Sequence, residues 1–150
     1  MAFVSIAQAI WKASRPKTLT ASLVPVVVGI ALAYHDTHQT KFTIVALILL
    51  SAVFIQIGTN FFNDALDFLK GADTPERLGE ARATQMGWMK PKVMLAFGAI
   101  AFFLALLCGV PLVFEGGWPI LVIGLASLLM GYCYTGGPFP LAYIGLGDFF

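Results

Sequence analysis

Apolar residues fill most of the chain in four long runs that are separated by shorter polar stretches. The runs cover approximately residues 18–34, 42–62, 93–114 and 118–134. At about 1.5 Å per residue in a helix, the second run extends about 30 Å, which is the thickness of the hydrocarbon core of a bilayer. Pro25 lies inside the first run, where a membrane helix tolerates it. The pattern predicts an all-α, polytopic transmembrane helix bundle with about four spans.

The two ends of the chain carry shorter apolar patterns. In residues 1–17, Phe3, Ile6 and Ile10 recur at helical spacing, which predicts an amphipathic helix before the first span. Residues 141–150 are apolar again and predict the start of a fifth span. We expect residues 1–150 to form a single transmembrane domain that is truncated at its C-terminus.

Composition supports a membrane protein. Hydrophobic residues make up 59% of the chain and charged residues only 11%, whereas a soluble domain carries about 25% charged residues. The net charge of +1 gives no support to nucleic-acid binding. Cys108 and Cys133 lie in apolar runs without metal-ligand spacing, so we interpret them as core thiols.

Lysine and arginine are distributed unequally between the two sides of this topology. Eight of them fall on the side of the N-terminus, namely Lys12, Arg15, Lys17, Lys70, Arg77, Arg82, Lys90 and Lys92. The opposite side has only Lys41. Because basic loops stay in the cytoplasm, we expect the N-terminus and the polar segment 63–92 to be cytoplasmic, in the cell (inner) membrane.

The second apolar run ends in a cluster of amides and carboxylates. Its members are Asn60, Asn63, Asp64, Asp67 and Asp73. In a helix, residues four apart lie on one side, which groups Asn60 with Asp64 and Asn63 with Asp67. Charged groups at this depth of a membrane protein point to function.

Two interpretations of this cluster are open from the residues alone. Loops between membrane spans are ordinarily polar, so the cluster could be a solvated surface. Oxygen ligands without His or Cys instead suit Mg²⁺, and Arg77 and Arg82 downstream match phosphate oxygens. We favour a metal–diphosphate site formed by this cluster. Asn60 could contact substrate or a neighbouring helix, and Tyr134 could line the site or lie at the membrane interface.

The motif Asn63-Asp64-x-x-Asp67 at the end of a span resembles the first Asp-rich motif of the UbiA superfamily of intramembrane prenyltransferases. Further stretches resemble its MenA branch, the 1,4-dihydroxy-2-naphthoate polyprenyltransferases. They are Arg-Pro-Lys-Thr at 15–18, Gln-Ile-Gly-Thr-Asn-Phe-Phe-Asn-Asp at 56–64, Lys-Gly-Ala-Asp-Thr at 70–74, Tyr-Thr-Gly-Gly-Pro at 134–138 and Leu-Gly-Asp at 146–148.

The resemblance implies a chemistry and a set of site residues. Mg²⁺ bound by the implied metal ligands Asp64, Asp67 and Asp73 would hold the diphosphate of a polyprenyl donor. Loss of that diphosphate would give an allylic cation. The ring of 1,4-dihydroxy-2-naphthoate would attack the cation and lose CO₂, giving a demethylmenaquinol inside an apolar bundle in the lipid bilayer. The implied catalytic residues are Asn63, Asp67 and Asp73, and the implied substrate-binding residues are Asn60, Asp64, Lys70, Arg77, Arg82 and Tyr134.

The resemblance also implies that the site is incomplete. The family has about nine spans and a second Asp-rich motif, whereas the last aspartate here, Asp148, is isolated. We therefore expect this chain by itself to lack prenyltransferase activity. The alternatives are another UbiA-type aromatic prenyl- or phytyltransferase and a non-catalytic membrane transport or assembly protein. Transport is the less favoured, because three of the four predicted spans carry no charge.

Overall fold

The computed structural model describes residues 4–73 and 81–144, and this part of the chain contains helices but no strand. The α-helices are α1 (Ile6–Ser14), α2 (Pro16–Thr37), α3 (Phe42–Leu69), α4 (Pro91–Gly116) and α5 (Trp118–Cys133). A single 3₁₀ turn at Leu141–Tyr143 follows them. The predicted all-α bundle is confirmed.

Helices α2, α3 and α4 are long and apolar enough to cross a membrane. Helix α5, the fourth predicted span, is a shorter apolar helix of 16 residues and extends about 24 Å. Helix α5 nevertheless runs between the two ends of the bundle. It starts close to Glu115, which pairs with Lys41 at the start of α3. It ends at Cys133, two residues before Thr135, which bonds to Asn63 near the end of α3.

Helix α3 extends two turns beyond the predicted end of the second span. The polar residues Asn63, Asp64 and Asp67, whose four-residue spacing was interpreted as helical, lie in α3, and each finds a partner on a neighbouring segment. The helix ends at Leu69, and Gly71 follows with a φ of 70°. Its N–H bonds to the Phe68 carbonyl, which satisfies one of the last carbonyls of the helix.

The amphipathic helix predicted before the first span is confirmed as α1. Its N-terminus is closed by a capping box, in which Ser5 and Gln8 exchange side-chain and backbone hydrogen bonds. Ala9 and Ala13 form its buried face and join the core that includes Phe61 and Ala65 of α3. Small side chains on α1 therefore bring it close to the polar end of α3.

Glycines allow α3 and α4 to pack closely. A side chain at Gly58 would enter the ring of Phe102, and one at Gly98 would press on the ring of Phe62. Phe62 also meets Phe102 and Tyr132 edge to face, with ring centroids 5.1 Å and 5.5 Å apart. This packing fixes α3 immediately before its polar residues.

Many large apolar side chains are exposed on the outside of the bundle. Helix α2 has no buried residue, and Val24, Leu32 and Phe103 are each more than half exposed. Such a surface would be unfavourable in water and is appropriate for contact with lipid. The polar residues are concentrated instead at one end of the bundle, where α3 ends.

Candidate functional site

A buried ion-pair cluster lies at the end of α3. The Asp67 carboxylate accepts a 2.6 Å hydrogen bond from Nη2 of Arg82, and the Asp73 carboxylate lies 3.7 Å from Nε of the same guanidinium. The side chain of Arg82 is 4% exposed and that of Asp73 is fully buried. One arginine thus brings two predicted metal ligands together.

Tyr143 contributes a second contact to Asp67. Its hydroxyl donates a 2.5 Å hydrogen bond to the other oxygen of the Asp67 carboxylate. Burial, followed by the hydrogen bond and the charge of Asp67, raises the pKa of Tyr143 well above its ordinary value, so the hydroxyl stays protonated and donates. Both oxygens of Asp67 are therefore held in place.

Asp64 has different surroundings from Asp67. Its carboxylate accepts hydrogen bonds from the backbone N–H groups of Ala83 and Thr84, at 2.8 Å and 2.9 Å, and from the Thr84 hydroxyl, at 2.5 Å. The same hydroxyl lies 2.8 Å from the main-chain carbonyl of Asp64. Asp64 thereby fixes the segment that carries Arg82.

The three predicted aspartate metal ligands have different partners in the structure, and their binding of a metal stays a prediction. Among the residues that the structure describes, no group of three His, Cys, Asp or Glu side chains is arranged to hold a metal ion. Asp64 is directed toward Ala83 and Thr84, whereas Asp67 and Asp73 converge on Arg82. Two carboxylates still fit Mg²⁺, which is commonly held by one or two carboxylates together with water and substrate phosphates.

Asn63 and Lys70 connect the site to the turn after α5. The hydroxyl of Thr135 donates a 2.7 Å hydrogen bond to the Asn63 side chain, and the Lys70 ammonium donates to the Thr135 carbonyl at 2.5 Å. The same ammonium lies 5.4 Å from the centre of the Tyr143 ring. Residues predicted from α3 thus meet residues that sequence analysis did not select.

Asn60 contacts neighbouring helices. Its side-chain nitrogen donates to the Ser14 carbonyl at 2.8 Å and to the Thr18 hydroxyl at 2.9 Å. These bonds secure the junction of α1 and α2, where Arg15 has a left-handed φ of 52°. The structure thus shows the helix-contact alternative for Asn60, and its contact with substrate stays a prediction.

Two predicted site residues remain, Arg77 and Tyr134. Arg77 lies outside the described residues. Tyr134 is half-buried, and its carbonyl accepts a hydrogen bond from the N–H of Ala142, which places the next residue, Tyr143, at Asp67. Tyr143 was missed because 76 positions separate it from Asp67. The only available signal was its position inside the 134–148 stretch that carries the family resemblance.

A membrane-embedded helix bundle with paired carboxylates and cations at one end defines the class of protein. Residues 22–150 match the UbiA prenyltransferase family, and the chain belongs to that family. No solved structure gives a significant match to the chain. The three apolar helices and the family together identify a multi-pass membrane protein.

Particular relatives are the 1,4-dihydroxy-2-naphthoate octaprenyltransferases. The chain is 40% identical to that of Bacillus subtilis over 97% of its own length and 47% of the relative. It is 35% identical to that of Escherichia coli, over 97% of the chain and 49% of the relative. The 2-carboxy-1,4-naphthoquinone phytyltransferase of Synechocystis is 33% identical, over 93% of the chain and 45% of the relative. The chain thus spans about half the length of the curated relatives it matches.

Proposed function

We propose that the chain supplies the first half of the active site of a Mg²⁺-dependent prenyltransferase. The reaction is transfer of a polyprenyl group from polyprenyl diphosphate to 1,4-dihydroxy-2-naphthoate, with loss of CO₂, giving a demethylmenaquinol. The observation that carries this proposal is the convergence of Asp67 and Asp73 on the buried Arg82 at the end of a membrane helix. The identity to naphthoate octaprenyltransferases supports the choice of substrates.

The residues of the cluster have separate roles in this proposal. Asp67 and Asp73 hold Mg²⁺, which when bound supplies positive charge to the departing diphosphate. Arg82 and Lys70 donate hydrogen bonds to phosphate oxygens, while Tyr143 keeps the Asp67 carboxylate oriented. Asn63 links the site to the turn after α5, and Asp64 holds the backbone beside Arg82.

The apolar part of the bundle receives the isoprenoid tail in this proposal. A groove of about 330 Å³ lies between α3, α4 and α5, and its walls are almost entirely aliphatic, including Ile55, Leu106 and Leu128. Such walls bind hydrocarbon, as the far part of an isoprenoid tail requires. The host membrane is the inner cell membrane, with the Asp67 end of α3 cytoplasmic, as the distribution of lysine and arginine indicates.

The test of the proposed function is a transfer assay with a completed enzyme. We define the joined enzyme as this chain continued by the part of the Bacillus subtilis relative that follows its matched region. Membranes that contain it should convert octaprenyl diphosphate and 1,4-dihydroxy-2-naphthoate to the prenylated, decarboxylated product. Activity should disappear with a chelator and return with Mg²⁺. Membranes that contain the 150-residue chain alone are the comparison, and they should be inactive because the second set of ligands is missing.

Two outcomes would contradict parts of this proposal. Chelator-resistant transfer by the joined enzyme would remove the metal from the mechanism. Mg²⁺-dependent transfer by the chain alone would overturn its role as half of a site. Phytyl diphosphate should be offered in parallel, because the Synechocystis relative is named as a phytyltransferase, and preference for it would favour that alternative.

Tyr143→Phe should lower transfer by the joined enzyme about tenfold, since one hydrogen bond to a charged carboxylate contributes roughly 1.5–3 kcal/mol. The aromatic ring remains, so the contact with Lys70 and the helical content of the protein should be retained. Tyr134→Phe is the matched control, because the hydrogen bonds that Tyr134 makes in the structure are main-chain bonds. A larger loss from Tyr134→Phe than from Tyr143→Phe would reverse the assignment of the two tyrosines.

A further inference from the structure

Arg82 occupies the place where the two carboxylates of the site converge. Its Nη2 lies 2.6 Å from Oδ2 of Asp67 and its Nε lies 3.7 Å from Oδ1 of Asp73. The guanidinium is almost completely buried, so these charges are poorly screened by water. The pair of carboxylates therefore already has a cation belonging to the chain itself.

We propose that Arg82 is an internal counter-cation that excludes Mg²⁺ from Asp67 and Asp73 until a diphosphate is present, so that metal and diphosphate enter the site together. This inference rests on the proposed function, because it assumes that the two aspartates are metal ligands. It assigns Arg82 a second role, since sequence analysis predicted only that it binds phosphate. It also makes the metal affinity of the site conditional on the substrate.

Charge is the first argument for conditional binding. Asp67, Asp73 and Arg82 together carry a net charge of −1, and the nearby Lys70 ammonium offsets it, so a divalent ion would give these four groups a net charge of +2. A metal on Asp67 would also lie within a few ångströms of the guanidinium, and repulsion at that distance is strong in a buried environment. Mg²⁺ alone should thus bind weakly while Arg82 stays in place.

A diphosphate removes both obstacles. Its charge offsets the added metal, and its oxygens offer the guanidinium the same paired acceptors that a carboxylate does. Arg82 can then exchange Asp67 and Asp73 for phosphate without leaving a buried cation unpaired, which would be costly. Lys70, whose ammonium is already within the cluster over the Tyr143 ring, adds positive charge that favours the same exchange.

The backbone around Arg82 is built for a change of side chain alone. The next two residues, Ala83 and Thr84, donate backbone hydrogen bonds to the buried carboxylate of Asp64. The carbonyl of Arg82 accepts a 3.0 Å hydrogen bond from the N–H of Met86. Because these hydrogen bonds hold its main chain in place, Arg82 can redirect its guanidinium by rotamer changes while Asp67 and Asp73 keep their positions.

The test is direct binding of Mn²⁺, a spectroscopic substitute for Mg²⁺, to the purified chain in detergent by electron paramagnetic resonance. Without diphosphate, Arg82→Gln should bind Mn²⁺ at least about tenfold more tightly than the wild type, because one buried positive charge is removed. Arg82→Lys, which keeps the charge, should resemble the wild type. Lys41→Gln is the matched control, since it removes a cation from an exposed ion pair with Glu115 at the other end of the bundle.

Equal Mn²⁺ affinity in the wild type, Arg82→Lys and Arg82→Gln would overturn the proposal, as would a tighter site in Lys41→Gln. If Arg82→Gln does not fold, the wild type still decides. A saturable Mn²⁺ site that inorganic diphosphate leaves unchanged would contradict the inference, and a site that forms only with diphosphate would support it. Calorimetric titration of diphosphate in excess Mg²⁺ tests the proposed function separately, because absence of diphosphate binding would defeat that function whatever Arg82 does to the metal.

Discussion

Asp67→Asn in the joined enzyme should reduce prenyl transfer at least about 10³-fold, because a metal that stabilises developing charge contributes several kcal/mol and each 1.4 kcal/mol is tenfold in rate. The amide keeps the size of the side chain and removes its negative charge. Arg82 then retains Asp73 as its charged partner, and the hydroxyl of Tyr143 can still donate to the amide oxygen. Insertion and helical content should therefore persist, and transfer assayed in membranes at matched protein levels measures the loss.

Asp36→Asn is the matched control for Asp67→Asn. Asp36 lies on α2 at the opposite end of the bundle and is exposed, with His35 as its contact. The same loss of one charge should leave transfer unchanged there. Full activity of Asp67→Asn would remove the central residue from the proposed metal site, and equal losses in both variants would point to an effect of net charge.

Asp64→Asn should act on stability more than on chemistry. An amide replaces one acceptor oxygen with a donor that faces the N–H groups of Ala83 and Thr84. Hydrogen bonds to a buried charged group contribute roughly 1.5–3 kcal/mol each, so the free energy of unfolding should fall by about 3–5 kcal/mol. Thermal unfolding in detergent followed by circular dichroism measures this as a lower Tm, and proteolysis near Arg82 should become faster.

Comparing the Asp64 and Asp67 variants separates a loss of stability from a loss of catalysis. Asp67→Asn should lose transfer even at temperatures well below its Tm, whereas the activity that Asp64→Asn loses should be recovered at low temperature as the protein refolds. Thr84→Val is the further control, because it removes the hydroxyl that bonds to Asp64 and should lower stability in the same direction by a smaller amount. If Asp64→Asn is fully stable but inactive, that result would indicate that Asp64 is a metal ligand.

The sequence predicted the helices well because each carries a long apolar pattern, and it placed the polar cluster correctly at the end of α3. It could not identify the partners of Asn63 and Asp67. Those partners, Thr135 and Tyr143, lie 72 and 76 positions away along the chain. Spacing along a helix shows which residues share a side of it. Only the tertiary fold shows which distant residues contact them.

The same limit explains why Asp64 and Asp67 could not be distinguished. They are three residues apart on one helix and have the same chemistry, so no local rule separates a ligand from a structural carboxylate. The difference arises from Ala83 and Thr84, whose backbone groups reach Asp64 but not Asp67. The intervening residues 74–80, with Arg77, lie outside the described residues, so the predicted role of Arg77 stays a prediction.

The length of α3 determines the depth of the aspartates. Its 28 residues extend about 42 Å, about 12 Å more than the hydrocarbon core. With Phe42 at the far boundary, beside the exposed pair of Lys41 and Glu115, the last eight residues reach into the headgroup layer. Under the proposed function, the substrate is a polyprenyl diphosphate, which lies at that level with its tail in the leaflet and its phosphates hydrated. It can therefore reach the site by lateral diffusion within one leaflet, and its charged diphosphate does not have to enter the hydrocarbon core.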